Sequence, residues 1–235
     1  MTEPVPAASG LLLSIIIPVL NEAPLIESQL QRLQILRNYS CEIIVADGGS
    51  SDATIDKSLP LVDRLIEAPK GRAAQMNAAA AVAKGQWLLF LHADSVLPDD
   101  FSRFLKNLAA TTMPWGFFAI ALSGHALGLR IIERAMNCRS RLTAVATGDQ
   151  CLFFRRDFFQ AINGYDDIPL MEDVAISKRS KKIAKPLVWP AAVMTSSRRW
   201  EQHGLLATVL LMWQLRLGYF LGISPQRLVK YYYGR

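Results

Sequence analysis

"LLFLHADSVLPDD", Leu88–Asp100, runs four strongly apolar residues into a histidine and an aspartate and closes on two further acids. A continuous apolar run with polar residues at its end is the pattern of a strand buried on both faces. The spacing predicts such a strand over Gln86–Leu91, with His92 and Asp94 at its carboxyl end.

Two upstream segments repeat the form. "GLLLSIIIPVL" predicts a strand over Leu11–Val19, supported by the β-branched run Ile15–Ile17, and "CEIIVADGGSSD" predicts one over Glu42–Ala46, broken at Asp47 and two glycines. Between them, Glu22–Leu36 carries Leu25, Ile26, Leu30, Leu33 and Leu36 at helical spacing, and the alanine-rich "GRAAQMNAAAAVAKG" favours helix as far as Gly85. Strand, helix, strand, helix, strand predicts an α/β fold with a parallel sheet covered on both faces. Ligands of such sheets bind at the carboxyl ends of the strands, where strand order reverses. Asn21, Glu22, Asp47, His92 and Asp94 would then converge on one rim, suited to a nucleotide and a divalent cation.

Composition bounds the partners. The chain has 235 residues, 51% of them hydrophobic, enough for a sizeable core; its net charge of +6 and pI of about 9.4 favour anionic partners without selecting among them. Cys41, Cys138 and Cys151 have neither zinc-site spacing nor the even count of a disulfide framework, which fits a reducing cytoplasm. The leading "MTEPVPAAS" has no Lys or Arg and contains Glu3, so the following apolar run reads as a strand rather than a signal peptide.

Downstream, "WGFFAIAL", Trp115–Leu122, predicts another strand and "ALGLRIIERAMNCRSRL" a helix with an apolar face. "TGDQCLFFRRDFF" puts Gly148, Asp149 and Gln150 in a turn before a strand, and "PLMEDVAISKRSKK" puts Glu172 and Asp173 at a helix start, where the dipole favours acids whatever their role. In "SSRRWEQHG", Arg198 and Arg199 can each fork onto phosphate oxygens.

In this order the segments resemble the inverting, nucleotide-diphospho-sugar glycosyltransferases of family 2, with a GT-A type, Rossmann-like, mostly parallel sheet. The resemblance covers roughly Ser14 to His203 and is closest to a bacterial branch with "GDQ", "MED" and "RRW" segments. It implies that Pro18, Asn21 and Glu22 border the nucleoside, that Asp47 meets the base, and that Arg72 and Asn77 lie beside the diphosphate. "HADS" stands where the family has Asp-x-Asp, with His92 in place of the first acid. Asp94 is the implied metal ligand, joined by His203; His92 either binds the ion or hydrogen-bonds a neighbour. An imidazole ligand shifts preference from Mg2+ toward Mn2+. Asp149 and Gln150 become candidates for sugar hydroxyls, Trp200 stacks on a sugar or packs, Asp173 is the general base and Glu172 orients the acceptor or loop. A UDP-sugar is the expected donor, the acceptor is unidentified, and no nucleic-acid partner is expected. A nucleotidyltransferase is the first alternative, although "PVLNEAPL" has no glycine-rich loop. A non-catalytic nucleotide-binding or membrane-adaptor protein is the second.

The expected catalytic domain spans 1–204, leaving a tail over 205–235. Its "LLATVLLMWQLRLGYFLG", Leu205–Gly222, is 18 residues long and interrupted by Gln214 and Arg216. A central arginine costs about 2.5–3.5 kcal/mol on membrane-insertion scales, so a single crossing is not expected. The segment predicts a helix covered by the core of the same domain, a peripheral membrane contact at the cytoplasmic face or a homo-oligomer contact through 205–222, the basic "SKRSKK" adding affinity for an anionic leaflet.

Overall fold

The computed structural model describes residues 10–233; the leading segment weighed as a signal peptide falls mostly outside them. Strands β1 (Leu13–Val19), β2 (Cys41–Asp47), β3 (Arg64–Glu67), β4 (Trp87–Phe90), β5 (Trp115–Leu122), β6 (Phe153–Arg155) and β7 (Leu187–Thr195) form one sheet in the order β3-β2-β1-β4-β6-β5-β7. Every adjacent pair is parallel except those made by β6, which runs antiparallel to both β4 and β5. The helices are α1 (Ile26–Leu33), α2 (Thr54–Ser58), α3 (Arg72–Val82), α4 (Phe101–Ala110), α5 (Leu127–Thr143), α6 (Arg156–Ala161), α7 (Glu172–Ser180), α8 (Arg198–His203), α9 (Leu205–Phe220) and α10 (Pro225–Tyr233).

The sheet is buried on both faces, as the apolar runs require. Along β1, Leu13, Ile15, Ile17 and Val19 enter one apolar layer with Leu30 of α1 and Phe104 of α4, while Ile16 enters the opposite layer with Ala79 of α3. Phe104 centres the first layer, its ring 4.6 Å from that of Phe118 and 4.8 Å from that of Phe153.

Topology gathers the polar segments. The carboxyl ends of β1, β2, β4, β5 and β7 share one edge of the sheet because these strands are parallel, and antiparallel β6 brings its amino end to the same edge. The loops after β1, β2 and β4, the Gly148–Gln150 turn before β6 and the arginines after β7 are thereby neighbours. Strand order reverses between β1 and β4, the position at which α/β sheets open a crevice.

Three sequence expectations shift. The first helix begins at Ile26 rather than Glu22 and passes into a 3-10 helix over Gln34–Tyr39, because Asn21 turns the chain with φ 57° and residues 21–23 are tied to the loop after β2. β3 and β7, unread in the sequence, are the two sheet edges. The tail packs one face only: Leu215 of α9 and Leu228 of α10 join Met171 and Val174 around α7, whereas Leu206, Leu210, Trp213, Leu217 and Phe220 are exposed.

Candidate active site

The loops after β1 and β2 are laced together by hydrogen bonds. Asn21 N–H donates to Ser50 Oγ (2.9 Å), Glu22 N–H to Thr54 Oγ1 (2.8 Å) and Ala23 N–H to Asp52 Oδ2 (3.2 Å), while Asn21 Oδ1 accepts from Ser51 N–H (2.8 Å). Gln75, which sequence reading missed, donates through Nε2 to the carbonyls of Val19 (2.7 Å) and Ala46 (2.9 Å) and so ties the ends of β1 and β2. Pro18 is buried beside this tie, paired in register with Ala46.

Asp47 closes β2. Its Oδ2 accepts from the N–H groups of Gly49 and Ser50, both at 2.9 Å, while its Oδ1 is buried with no hydrogen-bond partner among the described residues. A buried, unsatisfied carboxylate oxygen costs about 1–3 kcal/mol or more unless a donor arrives. That oxygen is an open acceptor.

Asp94 is exposed at the end of β4. Burial first, and then the charge of Asp94, hold the Glu22 carboxyl above its ordinary range, against the opposing pull of Arg198 and Arg72. Two acids and two arginines thus act on one opening.

His92 has a different partner from the one the metal motif suggests. Its Nδ1 lies 3.2 Å from Asp149 Oδ1, and its ring covers Gly148 so closely that a Cβ there would sit 2.7 Å from Nε2. Only glycine admits this stacking at the first position of "GDQ". Burial opposes ionisation of Asp149, but the His92 hydrogen bond and the charges of His92, Arg72 and Arg199 outweigh it and hold the carboxyl below its usual range. His203 is exposed at the end of α8. The expected ligand set of Asp94, His92 and His203 is therefore not gathered: among the described residues no three metal-capable side chains converge. A cation of the magnesium or manganese type still fits, since such ions bind through one or two carboxylates completed by substrate phosphates and water, and the repulsion felt by Glu22 from Asp94 is of the kind a cation relieves.

Two further candidates have partners within the fold. Gln150 is fully buried: it closes a capping box with Thr147 and donates to Ser140 Oγ (2.9 Å) and the Phe118 carbonyl (3.2 Å), leaving nothing for a sugar. Asn77 spends its amide on the backbone of Tyr165, donating to its carbonyl (2.8 Å) and accepting from its N–H (2.9 Å). Gln150 is buried, where an amide must be satisfied locally, and Asn77 is half-buried with both amide atoms engaged. Asn77→Ala is expected to cost about 1–3 kcal/mol, measured by urea unfolding, with nucleotide binding retained; a selective loss of nucleotide affinity at unchanged stability would return Asn77 to the donor site. Trp200 is partly buried against an apolar cluster of Ile120, Leu122 and Leu129, so it packs.

The acidic pair opens α7. Asp173 Oδ2 accepts from Gly148 N–H (2.8 Å) and Oδ1 from Val174 N–H (2.6 Å). Burial, the largest effect, and the charge of Asp149 nevertheless raise its carboxyl above the ordinary range. Glu172 is 7% exposed, and burial followed by the charge of Asp173 pushes it up to about 7. Arg72, the first residue of α3 after Gly71 at φ 138°, acts electrostatically on Glu22, Asp149, Glu172 and Asp173 alike. Arg198 is exposed, whereas Arg199 turns to the tail, its guanidinium 3.7 Å from the Tyr232 ring centroid and its Nη2 3.1 Å from the Tyr232 carbonyl.

Known proteins resemble the chain in sequence and in fold. Residues 14–119 match the model of Glycosyl transferase family 2. Succinoglycan biosynthesis protein ExoA of Rhizobium meliloti is 28% identical over 224 residues, covering 85% of this chain and 66% of that protein. A PGL/p-HBAD biosynthesis glycosyltransferase of Mycobacterium tuberculosis is 38% identical over 170 residues, covering 65% and 62%. The chain thus spans less than two thirds of the length of these relatives. Among solved structures, S. aureus TarS 1–349 in complex with UDP-GlcNAc superimposes with a TM-score of 0.64 at 16% identity, over 79% of this chain and 58% of that one. Mannosyltransferase PcManGT from Pyrobaculum calidifontis, in complex with GDP-Man and Mn2+, superimposes with a TM-score of 0.59 at 22% identity, over 78% and 56%. The fold is of the GT-A type, and over residues 14–119 the chain is similar to glycosyl transferase family 2.

Proposed function

We propose that the protein transfers a sugar from a nucleotide-diphospho-sugar to an acceptor hydroxyl by single displacement, with inversion. One observation carries the reading: the strand order brings the end of β4 to the turn before β6, where His92 meets Asp149 at 3.2 Å and Asp173 accepts from Gly148 N–H at 2.8 Å, so the acidic pair of α7 is tied to the same edge as the strand-end acids.

Each residue has a role that follows from its surroundings. The open Oδ1 of Asp47 suits an N–H of a base such as uracil. Asp94, with Glu22 beside it, would hold a divalent cation, Mn2+ or Mg2+, which supplies charge neutralisation for the departing diphosphate. Arg72 and Arg198 bring further positive charge to the donor edge. Asp173, half-exposed and fixed by two backbone N–H groups, accepts the acceptor proton as the new C1–O bond forms and the bond from C1 to the diphosphate oxygen breaks. Its raised pKa makes it a stronger base once ionised.

The test uses a panel of nucleotide-sugars with manganese: free nucleoside diphosphate supports transfer, whereas pyrophosphate would mean nucleotidyl transfer and no product with any sugar would leave a binding protein. Asp94→Asn gives the companion result. Stabilisation by manganese and UDP, about 2.7 kcal/mol at a ligand concentration one hundred times Kd, is expected to vanish in the variant. Equal stabilisation in variant and parent would remove Asp94 from the site.

A further inference from the structure

An open groove of about 200 Å³ lies between α5, α7 and α9. Its walls are apolar, among them Val145, Val174 and Phe220, and three cations line it: Arg139, Lys178 and Arg216. No carboxylate among the described residues makes an ion pair with any of the three. Arg139 keeps Nε and Nη2 buried and without hydrogen-bond partners among the described residues, a state that calls for an anion. Lys178 Nζ meets only ring faces, 5.1 Å from the Tyr219 centroid and 6.0 Å from that of Phe220.

The groove opens onto the bare face of α9. Leu206, Leu210, Trp213, Leu217 and Phe220 recur every three or four residues and so form one stripe, with Leu206 80%, Trp213 74% and Phe220 77% exposed. Arg216 stands at the edge of the stripe, one turn from Trp213 and from Phe220. From Gln202 to Arg235 the sequence contains no Asp or Glu, while Arg216, Arg227, Lys230 and Arg235 are cationic. No helix among the described residues is long and apolar enough to cross a membrane. An apolar stripe with aromatic residues, flanked by cations and free of acids, matches the interfacial plane of an anionic bilayer. A second copy of this chain would instead set like charges against one another.

We infer that the groove and the α9 stripe together dock an anionic membrane lipid, its phosphate among Arg139, Lys178 and Arg216 and its hydrocarbon along α9, and that the acceptor hydroxyl is carried on that lipid. The acceptor clause rests on the transferase reading; the lipid site does not. Asp173 adjoins the groove, since it precedes Val174 in the wall and its charge reaches both Arg139 and Tyr219. A headgroup seated there puts a hydroxyl next to the base.

Co-sedimentation of the full chain with phosphatidylcholine vesicles, with and without phosphatidylglycerol, tests the site. Binding is expected only with the anionic lipid, to weaken about fivefold for each cation removed, hence roughly 25-fold in a Lys178→Gln, Arg216→Gln double variant, and to fall also in Trp213→Ser. UDP–manganese stabilisation should persist in all three proteins, which excludes misfolding as the cause. Equal binding to neutral and anionic vesicles, or no loss in the double variant, would overturn the proposal. So would displacement by inorganic phosphate without any effect of Trp213→Ser, which would leave a soluble phosphate site. A dimer that dissociates in Trp213→Ser and ignores vesicles would assign the stripe to a second copy. Vesicle binding in a protein that shows no UDP–manganese stabilisation would sink the donor reading and leave the lipid site standing.

Discussion

Asp173→Asn is expected to reduce sugar transfer by roughly 10²–10⁴-fold, the usual contribution of a positioned base, while donor binding stays near normal. The amide is isosteric, and one of its atoms can still accept a backbone N–H, from Gly148 or Val174, so the loss falls on the proton transfer rather than on the local fold. The other backbone N–H loses its acceptor, and a stability loss of about 1–3 kcal/mol accompanies the change. Measuring kcat and KM with a saturating acceptor, alongside thermal stabilisation by UDP and manganese, separates these effects. Turnover within tenfold of the parent would rule Asp173 out as the base. The same large loss in Glu172→Gln with Asp173→Asn active would move the base one residue back.

Glu172→Gln is expected to stabilise the protein increasingly as pH rises from about 4.5 to 8. The Glu172 carboxyl is pushed from 4.5 up to about 7 by burial and then by the charge of Asp173, so the folded chain holds its proton more tightly than the unfolded chain does. Below pH 4.5 both states are protonated and the group costs nothing. Between 4.5 and 7 the unfolded chain ionises while the folded chain does not, and stability declines with pH; above 7 the decline is complete. A difference of this size corresponds to at most about 3 kcal/mol, and each kcal/mol moves Tm by roughly 2–4 °C in a chain of this size. Calorimetry of parent and variant at pH 5 and pH 8 reads it directly: a Tm difference that does not change between the two would mean that Glu172 titrates normally. An acid kept where it destabilises the fold is the expected signature of a functional position.

The strands with uninterrupted apolar runs were legible in the chain. β1, β2, β4 and β5 fall within one or two residues of their expected bounds, because a strand buried on both faces is apolar at most positions. The start of α7 at Glu172 was legible too, since acids favour a helix amino end. The edge strands were not. β3 is four residues long and half-exposed, and β7 contains an exposed Pro190. Proline is tolerated there because an edge strand has a free side: the register with β5 slips between Phe118 and Ala119, and Pro190 and Ala191 stand out of the pairing.

For the candidate site, the sequence alone was enough to say that polar residues end the central strands and that Asn21, Glu22, Asp47 and Asp94 share one edge of the sheet. It could not say which polar side chains are already spent. Gln150 and Asn77 carry the same amide in the sequence whether they face a ligand or satisfy buried backbone, and only the packed chain decides, through the partners it brings within hydrogen-bonding distance. His92 turned to Asp149 is a second such decision, made by an antiparallel strand that returns the 148–150 turn to the end of β4. Residue type and spacing determined where chemistry is available; the tertiary structure determined which groups remain free to perform it, because satisfaction of a buried polar group is a property of its three-dimensional neighbours and leaves no trace in linear order.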